Sequence, residues 1–98
     1  MELTSKQRAF LRGQANTLQA ILHVGKGGVV DTLIKQADDA LAVRELIKGK
    51  VLETAPVTAK EAANEIAQQV NAACVQVVGR TFVLYRPAKE PVIVLPKA

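Results

Sequence analysis

Apolar residues recur along this chain in two rhythms, one of three to four residues and one of two, and the switches between them outline its elements. Thr4-Ser5-Lys6-Gln7 has the Thr-x-x-Gln form of a capping box, so a first helix is expected from about Ser5 to Ala15. Arg8 and Arg12 share one face of it at i, i+4, and Phe10 and Leu11 turn the other way. Gln19 to Val24 reads as the first strand. Val30, Leu33, Ile34, Ala37 and Leu41 then form one helical stripe, with Asp31 and Lys35 as an acid-before-base pair on its outer side and the helix N-terminus pinned at Gly28. From Glu45 to Leu52 the period falls to two, with Leu46, Lys48, Lys50 and Leu52 on one face, while Gly49 points to a bulge or an edge. Thr58-Ala59-Lys60-Glu61 is a second capping box, and Ala59, Ala62, Ala63, Ile66, Val70 and Ala73 give the third helix a narrow face of small residues. Val75 to Val78 and Thr81 to Tyr85 flank Gly79-Arg80, a type II′ hairpin turn with Arg80 at its tip. Beyond Pro87 an apolar run, Val92 to Leu95, fits either an edge strand or a strap across the domain.

The order helix, strand, helix, strand, helix, strand, strand predicts an α/β fold: a two-layer, four-stranded mixed sheet with three helices. Residues 1–98 are expected to form one domain, and 49% hydrophobic with 22% charged residues is the balance of a folded chain. No apolar run reaches membrane-spanning length and Met1 to Gln7 is not a signal peptide, so a cytoplasmic location is expected. One cysteine, Cys74, excludes an internal disulfide, and with His23 as the one histidine a Cys/His zinc set cannot be assembled. Cys74 reads as a packed strand residue, and His23 as a strand residue beside the loop that follows.

That loop, Gly25-Lys26-Gly27-Gly28, is where composition changes the picture. Three glycines let the backbone take conformations closed to other residues and approach a partner closely. A helix start after them offers unpaired N–H groups and a positive dipole end, and Lys26 adds a mobile charge. The Walker phosphate loop needs a hydroxyl residue directly after its lysine, and the dinucleotide fingerprint a glycine where Val30 stands, so neither is present. Gly-x-x-Gly with a basic middle is the loop by which KH domains clamp a nucleic-acid backbone. With thirteen Lys and Arg against nine acids, a net +4, the partner this loop suggests is nucleic acid, provided the basic residues gather around it.

Leu3-Thr4, Gln7-Arg8, Leu11-Arg12, Val24 to Val29, Glu45 to Lys48 and Val78 to Pro87 together, in order and spacing, resemble the CRM domain family, whose stand-alone bacterial members are called YhbY-like proteins. The resemblance covers about residues 2–96. It implies a fold similar to the C-terminal domain of translation initiation factor 3, association with precursors of the large ribosomal subunit, and RNA contacts by Gly25 to Gly28 with Arg8, Arg12 and Lys48 nearby. The chain departs from the family where a proline is expected near Ala20 and an apolar residue at Gly49.

Phe10, Phe82 and Tyr85 are too few aromatics for a base-stacking surface, so backbone and shape readout is expected. The loop would hold one phosphate, with Lys26, Lys48, Lys50, Arg8, Arg12 and Arg80 tracking its neighbours, and Tyr85 is expected to pack. Asp38 and Asp39 read as a solvated, mutually repelling pair. No catalytic set, cofactor or membrane partner is expected, and a monomer is. Two rival readings are a protein-interaction module using the apolar tail and an enzyme using the loop as a small-anion site.

Overall fold

A computed structural model of the chain describes residues 2–97. Both capping boxes form. The Thr4 hydroxyl accepts from the Gln7 amide at the start of α1 (Ser5–Ala15), and Thr58 accepts from the Glu61 amide at the start of α3 (Ala59–Val70), each N3 side chain reaching back to the cap. Between them lie β1 (Ala20–Val24), α2 (Asp31–Arg44) and β2 (Leu46–Val51), and β3 (Ala73–Val78) and β4 (Thr81–Tyr85) follow. Val78 pairs with Thr81 across the Gly79-Arg80 turn, where Gly79 takes a φ of 57°, as the glycine of a tight hairpin must. No helix among the described residues is long and apolar enough to cross a membrane.

The strands are ordered β1-β2-β4-β3, with β1 and β2 parallel and both other pairs antiparallel, which is the mixed four-stranded α/β sheet that the sequence predicts. Its layering differs from expectation. Leu22, Val24, Ile47, Val51, Phe82 and Leu84 face α2 and α3, whereas Leu46, Val75, Val83 and Tyr85 face Leu11 and Ala15 of α1. The sheet is therefore covered on both faces, because β4 is apolar on both and Leu46 and Val75 join it on the second, a pattern that one layer of helices could not bury.

Several local expectations change with this geometry. Helix α2 begins at Asp31, not Gly28, and Val30 is an exposed cap rather than the head of the buried stripe. Lys35 pairs with Asp39 at 3.3 Å instead of with Asp31. Asp38 is not a repelled partner of Asp39 but accepts from Arg86 at 2.6 Å, and Arg86 also donates to Val70 O, tying the last turn of α3 to α2. Ala73 leaves the helix for β3. Gly49 sits in a central strand, and the irregularity is in β1, where register passes from Ala20–Lys48 to Leu22–Gly49 and leaves Ile21 as the extra residue.

Of the two placements open to the tail, the strap is the one found. Glu45, which caps α2 with a φ of 63°, buries its carboxylate under residues 88–93 and accepts from the amides of Ala88 (2.9 Å), Val92 (2.7 Å) and Ile93 (2.9 Å). Gln7 donates to Pro96 O at 3.1 Å, and Ile93 and Leu95 pack into the α1-side core while Val92 and Val94 point outward. Burial would raise the Glu45 pKa, but the three backbone donors outweigh it and hold the carboxyl below its ordinary range.

Candidate nucleic-acid interface

The glycine loop closes as a tight turn in which the Gly28 amide donates to Gly25 O at 2.9 Å, so Lys26 and Gly27 form an exposed tip. Gly28 has a φ of 74°, a backbone conformation that residues with a Cβ rarely adopt, so that position favours glycine for its conformation, while a Cβ there would lie 3.4 Å from Pro56 Cγ, within contact distance. The turn does not run straight into the helix. Val29 and Val30 intervene, no side chain caps α2, and the carboxylate of Asp31 stands in its first turn. The amides of the loop and the dipole of α2 are thus separated, and a resident negative charge occupies the end where an anion was expected.

Two consecutive amides of the β2 exit draw neighbouring elements to this end of the sheet. Val51 N–H donates to Arg80 O (2.8 Å) and Leu52 N–H to Val24 O (2.9 Å). The hairpin tip and the glycine loop are thereby held on either side of the end of β2. Arg80 spends part of its charge on Glu53, at 3.3 Å.

Helix α1 covers only part of its face of the sheet. Lys48 and Lys50, alternate residues of β2, rise from that face, with Lys50 exposed and opposite both His23 and Thr81. Cross-strand partners share a face, so His23, Lys50 and Thr81 form a row leading from the loop, and Gln76, opposite Val83, extends the polar surface toward β3. The alternation of β2 marks the two lysines on their own. Gln76 and Thr81 become visible as neighbours only through the register of three strands, which no single segment carries.

Arg8 and Arg12 are divided by the structure. Gln7 and Arg8, about 100° apart around α1, reach in different directions, Gln7 to the tail and Arg8 to the carbonyls of Cys74 and Val75 (3.0 Å to the latter) at the bulge of β3. Arg12, one turn on, lies on the side away from the tail and is exposed. Among the described residues Lys26, Lys48, Lys50 and Arg12 make no ion pair, leaving four cations free for a ligand.

Cys74 and Tyr85 are both packed residues, as expected. Burial pushes the Cys74 thiol up, against the opposing charge of Arg8, so it stays protonated and packs against the core. Tyr85 is buried in the α1-side core, its phenol pushed up by burial and by Glu45, and its ring is not available to a base. The chemistry left on this surface, among the described residues, is that of an exposed glycine turn and unpaired lysines, with no nucleophile set beside them.

Comparison with known proteins points the same way. Residues 3–86 match the model of the CRS1 / YhbY (CRM) domain. The chain is 44% identical to the Bacillus subtilis (strain 168) protein named Probable RNA-binding protein YqeI, over 90% of this chain and 92% of that one. It is 37% identical to a Haemophilus influenzae protein named RNA-binding protein, over 97% and 96% of the two chains. The solution structure of SAV1595 from Staphylococcus aureus superposes with a TM-score of 0.81 at 41% identity, covering 97% of this chain and 100% of that one. With the sheet order, the glycine turn and a match across nearly all of its length, the chain belongs to the CRS1 / YhbY (CRM) domain family.

Proposed function

We propose that this protein is an RNA-binding protein, not an enzyme, and that it holds rRNA in precursors of the large ribosomal subunit while they mature. The observation that carries this reading is the continuity of the glycine turn with the uncovered half of the sheet, where Lys26, Lys50 and Lys48 stand free of ion pairs around a polar row. Such a surface reads backbone charge and shape, since the ring in its polar row is the exposed His23 while Phe82 and Tyr85 are buried. The names of the bacterial relatives support the RNA, and the family resemblance supports the ribosomal particle. Packing of Ile93 and Leu95 inward removes half of the apolar tail from any partner surface.

Gradient fractionation of cells with stalled large-subunit assembly tests the reading. The protein should move into the precursor fractions as these accumulate, and crosslinking followed by sequencing should recover chiefly large-subunit rRNA. Equal distribution across free, precursor and translating fractions, unaffected by the stall, would refute the assembly role. Recovery of mainly mRNA or DNA would refute the choice of partner.

A further inference from the structure

Beyond the sheet surface, the molecule has a cleft of about 420 Å³ at the opposite end of β1 from the glycine turn. The chain entering β1 forms one wall with Leu18 and Ile21, and Leu46 at the start of β2 lies across from them. Thr17 and Gln19 sit on the rim, and two cations, Arg44 from the end of α2 and Lys48 from β2, complete the lining. The bulge at Ile21 and the turn from α2 into β2 at Glu45 hold these walls apart. Arg44, like Lys48, is without an ion pair among the described residues.

We infer that this cleft receives one unpaired nucleotide of the RNA, its base between the aliphatic walls and its phosphates on Arg44 and Lys48. The inference rests on the RNA-binding reading and adds a base-reading subsite to a surface otherwise limited to backbone contacts. The volume is at the small end of the range for small-molecule sites, about 300–1,000 Å³, which suits a single nucleotide and excludes a duplex. The lining matches the chemistry of that occupant: apolar faces for a flat ring, a side-chain amide at Gln19 that both donates and accepts toward a base edge, and cations for the flanking phosphates. Lys48 belongs to the cleft and to the uncovered face alike, so a strand tracked along the sheet arrives at the cleft mouth. From Gln19 to Gly25 the extended chain spans about 20 Å at about 3.3 Å per residue, a reach of several nucleotides between turn and cleft. Unpaired bases enter such a site without the cost of breaking a pair, so the cleft selects single-stranded over duplex RNA.

The test has two arms. In the first, nucleoside 5′-monophosphates are titrated into the labelled protein and amide resonances followed by NMR, with inorganic phosphate as the parallel probe. Mononucleotides should shift the amides of Leu18, Gln19, Ile21 and Lys48, and phosphate should not reproduce the pattern. In the second, Gln19→Ala with Arg44→Gln, both at exposed positions, should weaken binding of a short unstructured RNA by about tenfold while changing duplex affinity less than twofold, with the variant's spectrum confirming its fold. Identical shifts with phosphate alone, mononucleotide shifts confined to the glycine turn, or equal losses for both RNAs would each overturn the subsite. Failure of the unaltered protein to bind either RNA would refute the RNA-binding reading separately, with the mononucleotide arm still deciding the cleft.

Discussion

The ring of Phe82 lies where a side chain on Gly49 would begin: a Cβ built on Gly49 would come within 2.3 Å of Phe82 Cζ and 2.6 Å of Cε2. The two residues are direct partners across β2 and β4, and the aromatic covers the glycine as rings do in strained sheets. The apolar residue that the family pattern expects at position 49 is replaced here by volume supplied from the neighbouring strand. Gly49→Ala should therefore destabilise the fold by about 1–3 kcal/mol through overpacking, although alanine is ordinarily the better strand residue. Urea denaturation would measure it. The same change in a Phe82→Leu background should cost less, and equal costs in both backgrounds would disprove the contact.

Glu45 governs the strap. Replacing it by Gln keeps the shape but turns an –NH₂ donor or a single neutral oxygen toward three amide donors, so the tail should loosen at a cost of about 1–3 kcal/mol. Because the folded-state carboxyl is held below its ordinary value, its contribution is fully present above the unfolded pKa of about 4.3 and is lost as pH falls through the lower folded value. Protection of the Val92 and Ile93 amides against hydrogen exchange, taken relative to the intrinsic rate at each pH, should fall across that acid window, and Glu45→Gln should be poorly protected at every pH. Protection in the variant equal to that of the parent would dismiss the anchor.

Arg8 and Arg12 should separate stability from binding. Loss of the Arg8 guanidinium strips two carbonyls at the β3 bulge of a charged donor, so Arg8→Ala should cost about 1.5–3 kcal/mol of stability. Arg12→Ala, at an exposed site, should stay within about 0.5 kcal/mol and instead flatten the dependence of log K on log salt by about 0.7 for one single-strand phosphate. Equal thermal shifts from the two variants would contradict this division.

What was legible in the chain follows the range of each interaction. The bounds of α1 and β4 come directly from residues within four positions of one another, Thr4 with Gln7 and Gly79 with Arg80. The loop is equally local, so Gly25 to Gly28 and the lysines of β2 were readable as candidates. Val30 misled because it fits the apolar period of α2, yet the unwound Val29-Val30 step places it outside the helix. Glu45 carried no signal of its role, since its partners lie more than forty residues away, and Arg8 and Arg12 look alike until β3 is placed beside one of them. The side of the sheet that α1 covers was hidden for the same reason: it depends on Leu46, Val75, Val83 and Tyr85 of three different strands being brought to one face.

The glycine turn makes the final prediction, because its geometry allows charge to be changed without changing the backbone. A Cβ on Gly27 would meet only Val30 Cγ1, at 3.6 Å, an ordinary contact, whereas Gly28, at a φ of 74°, has a conformation that strains any residue with a Cβ. Lys26→Ala with Gly27→Asp should thus leave circular dichroism unchanged while lowering RNA affinity at least about tenfold, through loss of one cation and gain of a repelling carboxylate at the tip. Asp31→Asn should act in the opposite direction, since it removes the one negative charge from the first turn of α2 and lets the dipole face the ligand, at a cost in stability of about 0.3–1 kcal/mol. Anisotropy titrations at two salt concentrations would show both effects, larger at low salt. A folded Lys26/Gly27 variant that binds as the parent does would take the turn out of the interface and leave the lysines of β2 to carry it.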